Sequence, residues 1–185
     1  KRINRHGLIT GATGTGKTVT LQNLAENMAK AGIPVFVTDG KGDLAGIALP
    51  KTPGIMCPPT VFWDLAGKAG HPARVTISEF GPILLGELLD LSPAQRGVLE
   101  LAFKVADDDG LLLIDFKDLR AMLQFLSDNA TEISAEYGLV SKASVAAIQR
   151  SLLSLENEGA DTFFGEPALE LADLMKTTAD GKGQI

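Results

Sequence analysis

The octapeptide Gly11-Ala12-Thr13-Gly14-Thr15-Gly16-Lys17-Thr18 fits the pattern G-x-x-x-x-G-K-[ST], and it constrains this chain more than any other stretch does. A loop of this kind works only between the end of a buried strand and the start of a helix. Both flanks meet that condition. Residues 6–10 are a short apolar run suited to a buried strand, and over residues 19–30 Leu21, Leu24, Ala25 and Met28 recur at helical spacing. Gly11, Gly14 and Gly16 allow turns that a Cβ would resist and let successive N–H groups point inward at phosphate oxygens. The helix beginning near Lys17 adds unpaired N–H groups and the positive end of its dipole. On this reading Gly11, Ala12, Thr13, Gly14, Thr15 and Gly16 cradle a nucleoside triphosphate. Lys17 and Thr18 carry the catalytic role, the ammonium on the β and γ phosphates and the hydroxyl as a ligand to Mg²⁺. Thr13 and Thr15 read as loop filler with incidental hydrogen bonds. The chain contains no N-K-x-D sequence for guanine recognition, which tilts the reading to ATP.

Gly32 is placed to end the first helix, and residues 33–39 are nearly all apolar, as a central parallel strand should be. Strand, loop, helix and strand would complete a right-handed βαβ unit. Ligands lie beyond the carboxyl ends of strands in such sheets, which makes Asp39 a cofactor-binding candidate beside Mg²⁺ or its waters. Capping of the turn Gly40-Lys41-Gly42-Asp43 is the other reading of Asp39. The expected fold is α/β, a P-loop NTPase core with parallel strands and an appended or inserted helical part. Residues 1–80 read as the P-loop α/β portion, and residues 81–180 as a mainly helical portion of the same domain or a satellite subdomain.

With 185 residues, 45% of them hydrophobic and 22% charged, the chain can bury one good core, or one core and a small satellite. No apolar run approaches the roughly 20 residues of a membrane span, so no membrane partner and a cytoplasmic location are expected. Cys57 stands alone and excludes an intrachain disulfide. A net charge of −6 argues against a broad basic surface, so any grip on nucleic acid would be local. Lys1, Arg2, Arg5 and Lys17 all precede the first acid, Glu26, as would suit a phosphate-facing edge or a solvated strand.

Further along, a loop rich in proline and glycine spans residues 49–59, and residues 60–65 and 74–78 read as a hairpin or two short edge strands. After Gly81-Pro82 the pattern turns helical. Ser92-Pro93 opens a helix to about Ala106, closed by Asp107-Asp108-Asp109-Gly110, read as a solvated turn rather than a metal loop. Leu111-Leu112-Leu113-Ile114-Asp115 resembles a Walker B strand. We read Asp115 instead as the N-cap of a helix whose apolar stripe is Leu119, Met122, Leu123 and Leu126, with Asp118 close to a capping box. Residues 141–157 form another helix, from which Arg150 would reach a neighbouring subunit's nucleotide or simply face solvent. Phe163-Phe164-Gly165-Glu166-Pro167 breaks the chain before a short helix ending near Met175.

Together Arg5-His6-Gly7-Leu8-Ile9, the glycine loop and Asp39-Gly40-Lys41-Gly42-Asp43-Leu44 resemble the bacterial HerA-like domain of the FtsK–HerA superfamily, YjgR type. The similarity runs on through Leu111-Leu112-Leu113-Ile114-Asp115-Phe116-Lys117-Asp118-Leu119-Arg120 and the Phe163-Phe164 stretch, so it covers nearly the whole chain. The resemblance implies a RecA-like ATPase core, a homo-oligomer that is hexameric in relatives, and movement on double-stranded DNA by the full-length assembly. It carries Gly11, Gly16, Lys17 and Thr18 over as nucleotide and Mg²⁺ residues, and Asp39, Lys41 and Asp43 as a segment beside the nucleotide. Gly40 departs from the family pattern, which has an aliphatic residue there. Relatives place Walker B, with its Asp-Glu pair, beyond the point that Ile185 marks. Lys1 is not a natural start and residues 181–185 read as the approach to another strand. We therefore expect a piece of a longer protein, with Walker B and the arginine finger outside it.

Three functions stay in play. The first is a motor-type ATPase. The second is a P-loop kinase or phosphotransferase, against which the six scattered arginines speak, since they supply no lid cluster. The third is a nucleotide-binding module without catalysis.

Overall fold

Helix signals decide most of what this chain becomes. The computed structural model describes residues 6–50, 57–138 and 140–185. Lys1, Arg2, Arg5 and residues 51–56 of the proline- and glycine-rich loop lie outside them. The chain divides into two compact units, one made of Lys1–Phe62 with Glu170–Ile185, the other of Trp63–Leu169. Among the described residues it is mixed α/β but mostly helical, with one sheet, a pair of two-residue strands.

The unit Trp63–Leu169 is a helical bundle. Helices α2 (Ile77–Leu88), α3 (Pro93–Asp108), α4 (Phe116–Asp128), α5 (Ala130–Tyr137) and α6 (Lys142–Asn157) follow in order, and α3 packs on α2, α4 and α6. Their inward stripes supply Ile77, Leu85, Leu99, Leu119, Leu123, Leu126, Ile148 and Leu152, all fully buried. Burying a side chain of this kind contributes about 1.5–3 kcal/mol. Phe164 is buried and packs against Phe80, Phe116 and Phe163, which makes the Phe-Phe pair part of the core, as its composition implied.

Each helix starts where the chain offers a cap. Pro93 follows Ser92, whose backbone N–H donates to Gln95 Oε1 at 2.8 Å. Asp115 caps α4: its Oδ1 accepts from Lys117 N at 2.7 Å and Asp118 N at 3.2 Å, while Asp118 Oδ2 accepts from Ile114 N at 2.9 Å. Ser141 caps α6, and Gly159 beyond its end sits at φ 94°. Residues 111–114 belong to no strand. Leu112 is 73% exposed, and the run instead supports the start of α2, where Ser78 N donates to Leu113 O and Leu113 N to Ser78 Oγ.

The strand expectations need correction. Residues 74–78 keep only one parallel bridge among the described residues, Val75 with Phe164, because Thr76 and Glu79 form a capping box that starts α2 at Ile77. A kink at Gly81, φ 77°, precedes Pro82, so the helix begins before the Gly-Pro pair rather than after it. The strands are β1 (Trp63–Asp64) and β2 (His71–Pro72), and they pair in parallel, which rules out a hairpin. Asp64 makes this possible over so short a connection. Its carboxylate accepts from Ala66, Lys68 and Ala69 N–H and winds the intervening residues into a tight turn.

In the unit Lys1–Phe62 with Glu170–Ile185, helix α1 (Lys17–Lys30) follows the glycine loop as expected. The βαβ unit is not formed by assigned strands, however. Residues 6–10 and 33–39 belong to no strand, with Leu8 88% and Phe36 62% exposed. An apolar composition makes a segment suit a sheet, but only a backbone partner makes it a strand. For Val35 a partner comes from residues 183–185, which also pair with residues 59–61. Val35 N donates to Gln184 O, Ile185 N to Pro59 O, and Val61 N to Ile185 O; the last two bonds flank Thr60 in the parallel sense.

The inward face of α1 also differs from the expected one. Gln22, Ala25 and Ala29 are buried, whereas Leu21 and Leu24 are exposed. Small side chains are needed on that face because backbone comes close to it. Gly183 N donates to Ala29 O, and Gln22 Nε2 reaches Asp43 O at 3.5 Å.

Candidate functional site

The loop at residues 11–18 is held by a few local bonds whose centre is the Ala12 carbonyl. Lys17 Nζ donates to it at 2.7 Å and to Gly11 O at 2.8 Å, and Thr15 Oγ1 donates to it at 2.8 Å. The backbone bends back at Gly14, φ 82°, and at Gly16, φ 90°, a region that side chains with a Cβ disfavour. Gly11 needs no such angle. A Cβ there would lie 2.5 Å from Thr15 Oγ1, so Gly11 is small to admit the threonine hydroxyl.

Gly16 is the N-cap of α1 and offers no side-chain acceptor, and the first turn of the helix holds no acid. The first intrahelical bond comes from Thr20 N to Gly16 O at 2.9 Å. The N–H groups ahead of it lack helical acceptors, as at every helix start. Among the described residues the Thr18 hydroxyl makes no hydrogen bond. Exposed backbone, an uncapped helix start, an ammonium and a free hydroxyl form a donor set that fits a polyphosphate with its Mg²⁺. Ala12, Thr13 and Gly14 are open to solvent.

Asp39 closes the turn that follows residues 33–38. Its Oδ1 accepts from Lys41 N at 3.3 Å and Gly42 N at 2.9 Å, and its Oδ2 from Leu44 N at 2.8 Å and Ala45 N at 3.2 Å. Partial desolvation works to raise the Asp39 pKa, but the N–H groups of Leu44, Lys41, Gly42 and Ala45 outweigh it and hold the carboxyl below its ordinary value. The carboxylate therefore serves the turn. Gln22 is the tie from this turn to α1, one helical turn beyond Thr18.

Other residues singled out in the sequence are placed as follows. Asp115 is occupied as the cap of α4 in the helical unit. Arg150 is exposed on α6. Asp108 bonds Lys104 and Tyr137, and the Lys104 ammonium lowers its pKa. Among the described residues no group of three His, Cys, Asp or Glu could hold a metal, and no helix is long and apolar enough to cross a membrane. Thr15, expected in the cradle with incidental hydrogen bonds, makes one that closes the loop on Ala12 O, and Gln22, not singled out by the sequence, is a buried polar side chain four residues after Thr18.

Comparison with known proteins gives one positive result. The family model described as Helicase HerA-like C-terminal matches residues 1–185, the full chain. No curated protein and no solved structure matches it.

Proposed function

The chain belongs to the helicase HerA-like C-terminal family, and we propose that it is the ATP-binding portion of a P-loop ATPase that drives a DNA translocase. The observation that carries this reading is the loop: Lys17 lies over the carbonyls of Gly11 and Ala12 at the uncapped start of α1. Lys17 Nζ would exchange those carbonyls for the β and γ phosphates of ATP. The N–H groups of residues 14–18 would hold the phosphate oxygens, and the Thr18 hydroxyl would be the protein's ligand to Mg²⁺. The metal, when bound, neutralises charge on the phosphates that hydrolysis would transfer to water.

Asp39 supports this site at a distance by fixing the turn of residues 39–45. In the full-length protein the assembly would be a homo-oligomer in the cytoplasm acting on double-stranded DNA. With a net charge of −6, contact with DNA would rest on local basic groups.

One observation favours a second reading for the chain by itself. Asp115, the acid that ends the Walker-B-like run, is engaged with Lys117 N and Asp118 N, which supports nucleotide binding without efficient turnover. Thermal melting with Mg-ATP, alongside phosphate release with and without duplex DNA, tests both readings. Lys17→Ala should abolish the ATP-dependent rise in melting temperature, which reports a linkage stabilisation of roughly 2.7 kcal/mol for a protein at a hundredfold ligand excess over Kd. DNA-stimulated turnover would favour the motor reading, and binding without turnover the second. A melting shift that survives Lys17→Ala would sink the site assignment.

A further inference from the structure

We propose that Thr15 is a positioning residue, a latch that keeps the loop in its phosphate-receiving shape while Lys17 changes partners. The inference rests on the reading of residues 11–18 as a nucleotide seat. Three donors converge on the Ala12 carbonyl, namely Lys17 Nζ at 2.7 Å, Thr15 Oγ1 at 2.8 Å and Thr15 N at 3.4 Å. Lys17 also holds Gly11 O at 2.8 Å. In the nucleotide-free loop the ammonium is therefore the strongest tie between the two ends, since a charged donor makes the stronger hydrogen bond.

A phosphate competes for that same ammonium. When Lys17 Nζ turns to it, Gly11 O loses its partner and Ala12 O keeps only Thr15. The Thr15 hydroxyl then closes the turn alone, because its N–H lies at the long end of hydrogen-bond range. The packing is consistent with a built feature. The hydroxyl sits where a Cβ on Gly11 would come within 2.5 Å, so the absence of a side chain at residue 11 makes room for it. Thr13 and Gly14 have no comparable contact among the described residues. The latch matters little while Lys17 is docked on the loop and most once it has left. Its removal should weaken nucleotide binding and spare the free protein.

The test is calorimetric titration of the chain, Thr15→Val and Thr15→Ser with Mg-ATP, together with melting of each protein without nucleotide. Thr15→Val should bind Mg-ATP roughly threefold to tenfold more weakly, the loss of one neutral hydrogen bond, with its nucleotide-free melting unchanged. Thr15→Ser, which keeps the hydroxyl, should restore the affinity. Equal affinity of Thr15→Val and the parent chain would overturn the latch while leaving the nucleotide site standing. So would a Thr15→Ser variant as weak as the valine one, or a valine variant that melts early without nucleotide. A parent chain that does not bind Mg-ATP, with Lys17→Ala indistinguishable from it, would overturn the nucleotide seat and the latch with it.

Discussion

Gly183→Ala is the substitution that this structure makes most consequential outside the helical bundle. Gly183 is buried where residues 181–185 run past the end of α1. A Cβ built on it would lie 2.2 Å from Ile33 O, 2.3 Å from Ile33 C and 2.6 Å from Pro34 N. All three atoms are backbone, so no side-chain rotation relieves the overlap. The segment would have to lift, and two bonds lift with it: Gly183 N to Ala29 O and Val35 N to Gln184 O, both 2.8 Å. Two net backbone hydrogen bonds contribute about 1–3 kcal/mol together. Overpacking a tight site adds about 1–3 kcal/mol. The expected loss is thus about 2–6 kcal/mol, a midpoint shift of roughly 1–3 M in urea at a slope of about 2 kcal/mol per M.

Gly97→Ala is the matched control. Gly97 lies inside α3 and a Cβ there meets nothing within 4 Å, so alanine should stabilise by about 0.5–1 kcal/mol. Urea unfolding followed by circular dichroism gives both numbers, and amide exchange locates the effect. Protection should fall at Val35, Gly183 and Gln184 while the α3–α6 amides keep theirs. A Gly183→Ala chain with the parent midpoint and full protection at those amides would refute the close approach on which the reasoning stands.

The N-cap role of Asp115 predicts that Asp115→Ala lowers stability by about 0.5–2 kcal/mol, read by urea unfolding, and leaves Mg-ATP affinity unchanged in titration. A loss of affinity without a loss of stability would restore the Walker B reading. Asp39 gives a pH dependence with a definite sign. Its folded pKa lies below the unfolded value of about 3.9, so its contribution is fully present above that value and lost as pH falls through the folded pKa. Asp39→Asn should therefore melt earlier than the parent at pH 6 and show a shallower decline between about pH 4 and pH 2, both read in melting temperature. Asp64, whose carboxyl is lowered by the N–H groups of Ala69, Ala66 and Lys68, should behave in the same way.

Local chemistry was legible in the sequence wherever a few neighbouring residues suffice to satisfy one another. Asp115 with Asp118 and Ser92 with Pro93 announced helix starts, because a cap needs only an acceptor within three residues of the N–H it serves. Thr76 and Glu79 carried the same signal, hidden by the β-branched run Val75-Thr76-Ile77 that suits a strand as well. The bundle core followed from helical periodicity, and Leu119, Met122, Leu123 and Leu126 are buried as that stripe required. Residue type alone assigned Thr15 incidental hydrogen bonds without their partner, because that depends on where the Ala12 carbonyl turns, a matter of loop geometry.

By itself the sequence determined the caps, the apolar stripes and the place of the glycine loop ahead of α1, since each is a short-range match between donor and acceptor, a run of glycines or a period along one helix. Tertiary structure alone decided which face of α1 is covered, leaving Leu21 and Leu24 outside and burying Gln22, Ala25 and Ala29. It also decided that residues 33–37 meet the segment 183–185, about 150 residues away in sequence. A backbone ladder is indifferent to side-chain identity and needs only that two segments arrive side by side, so neither one records its partner.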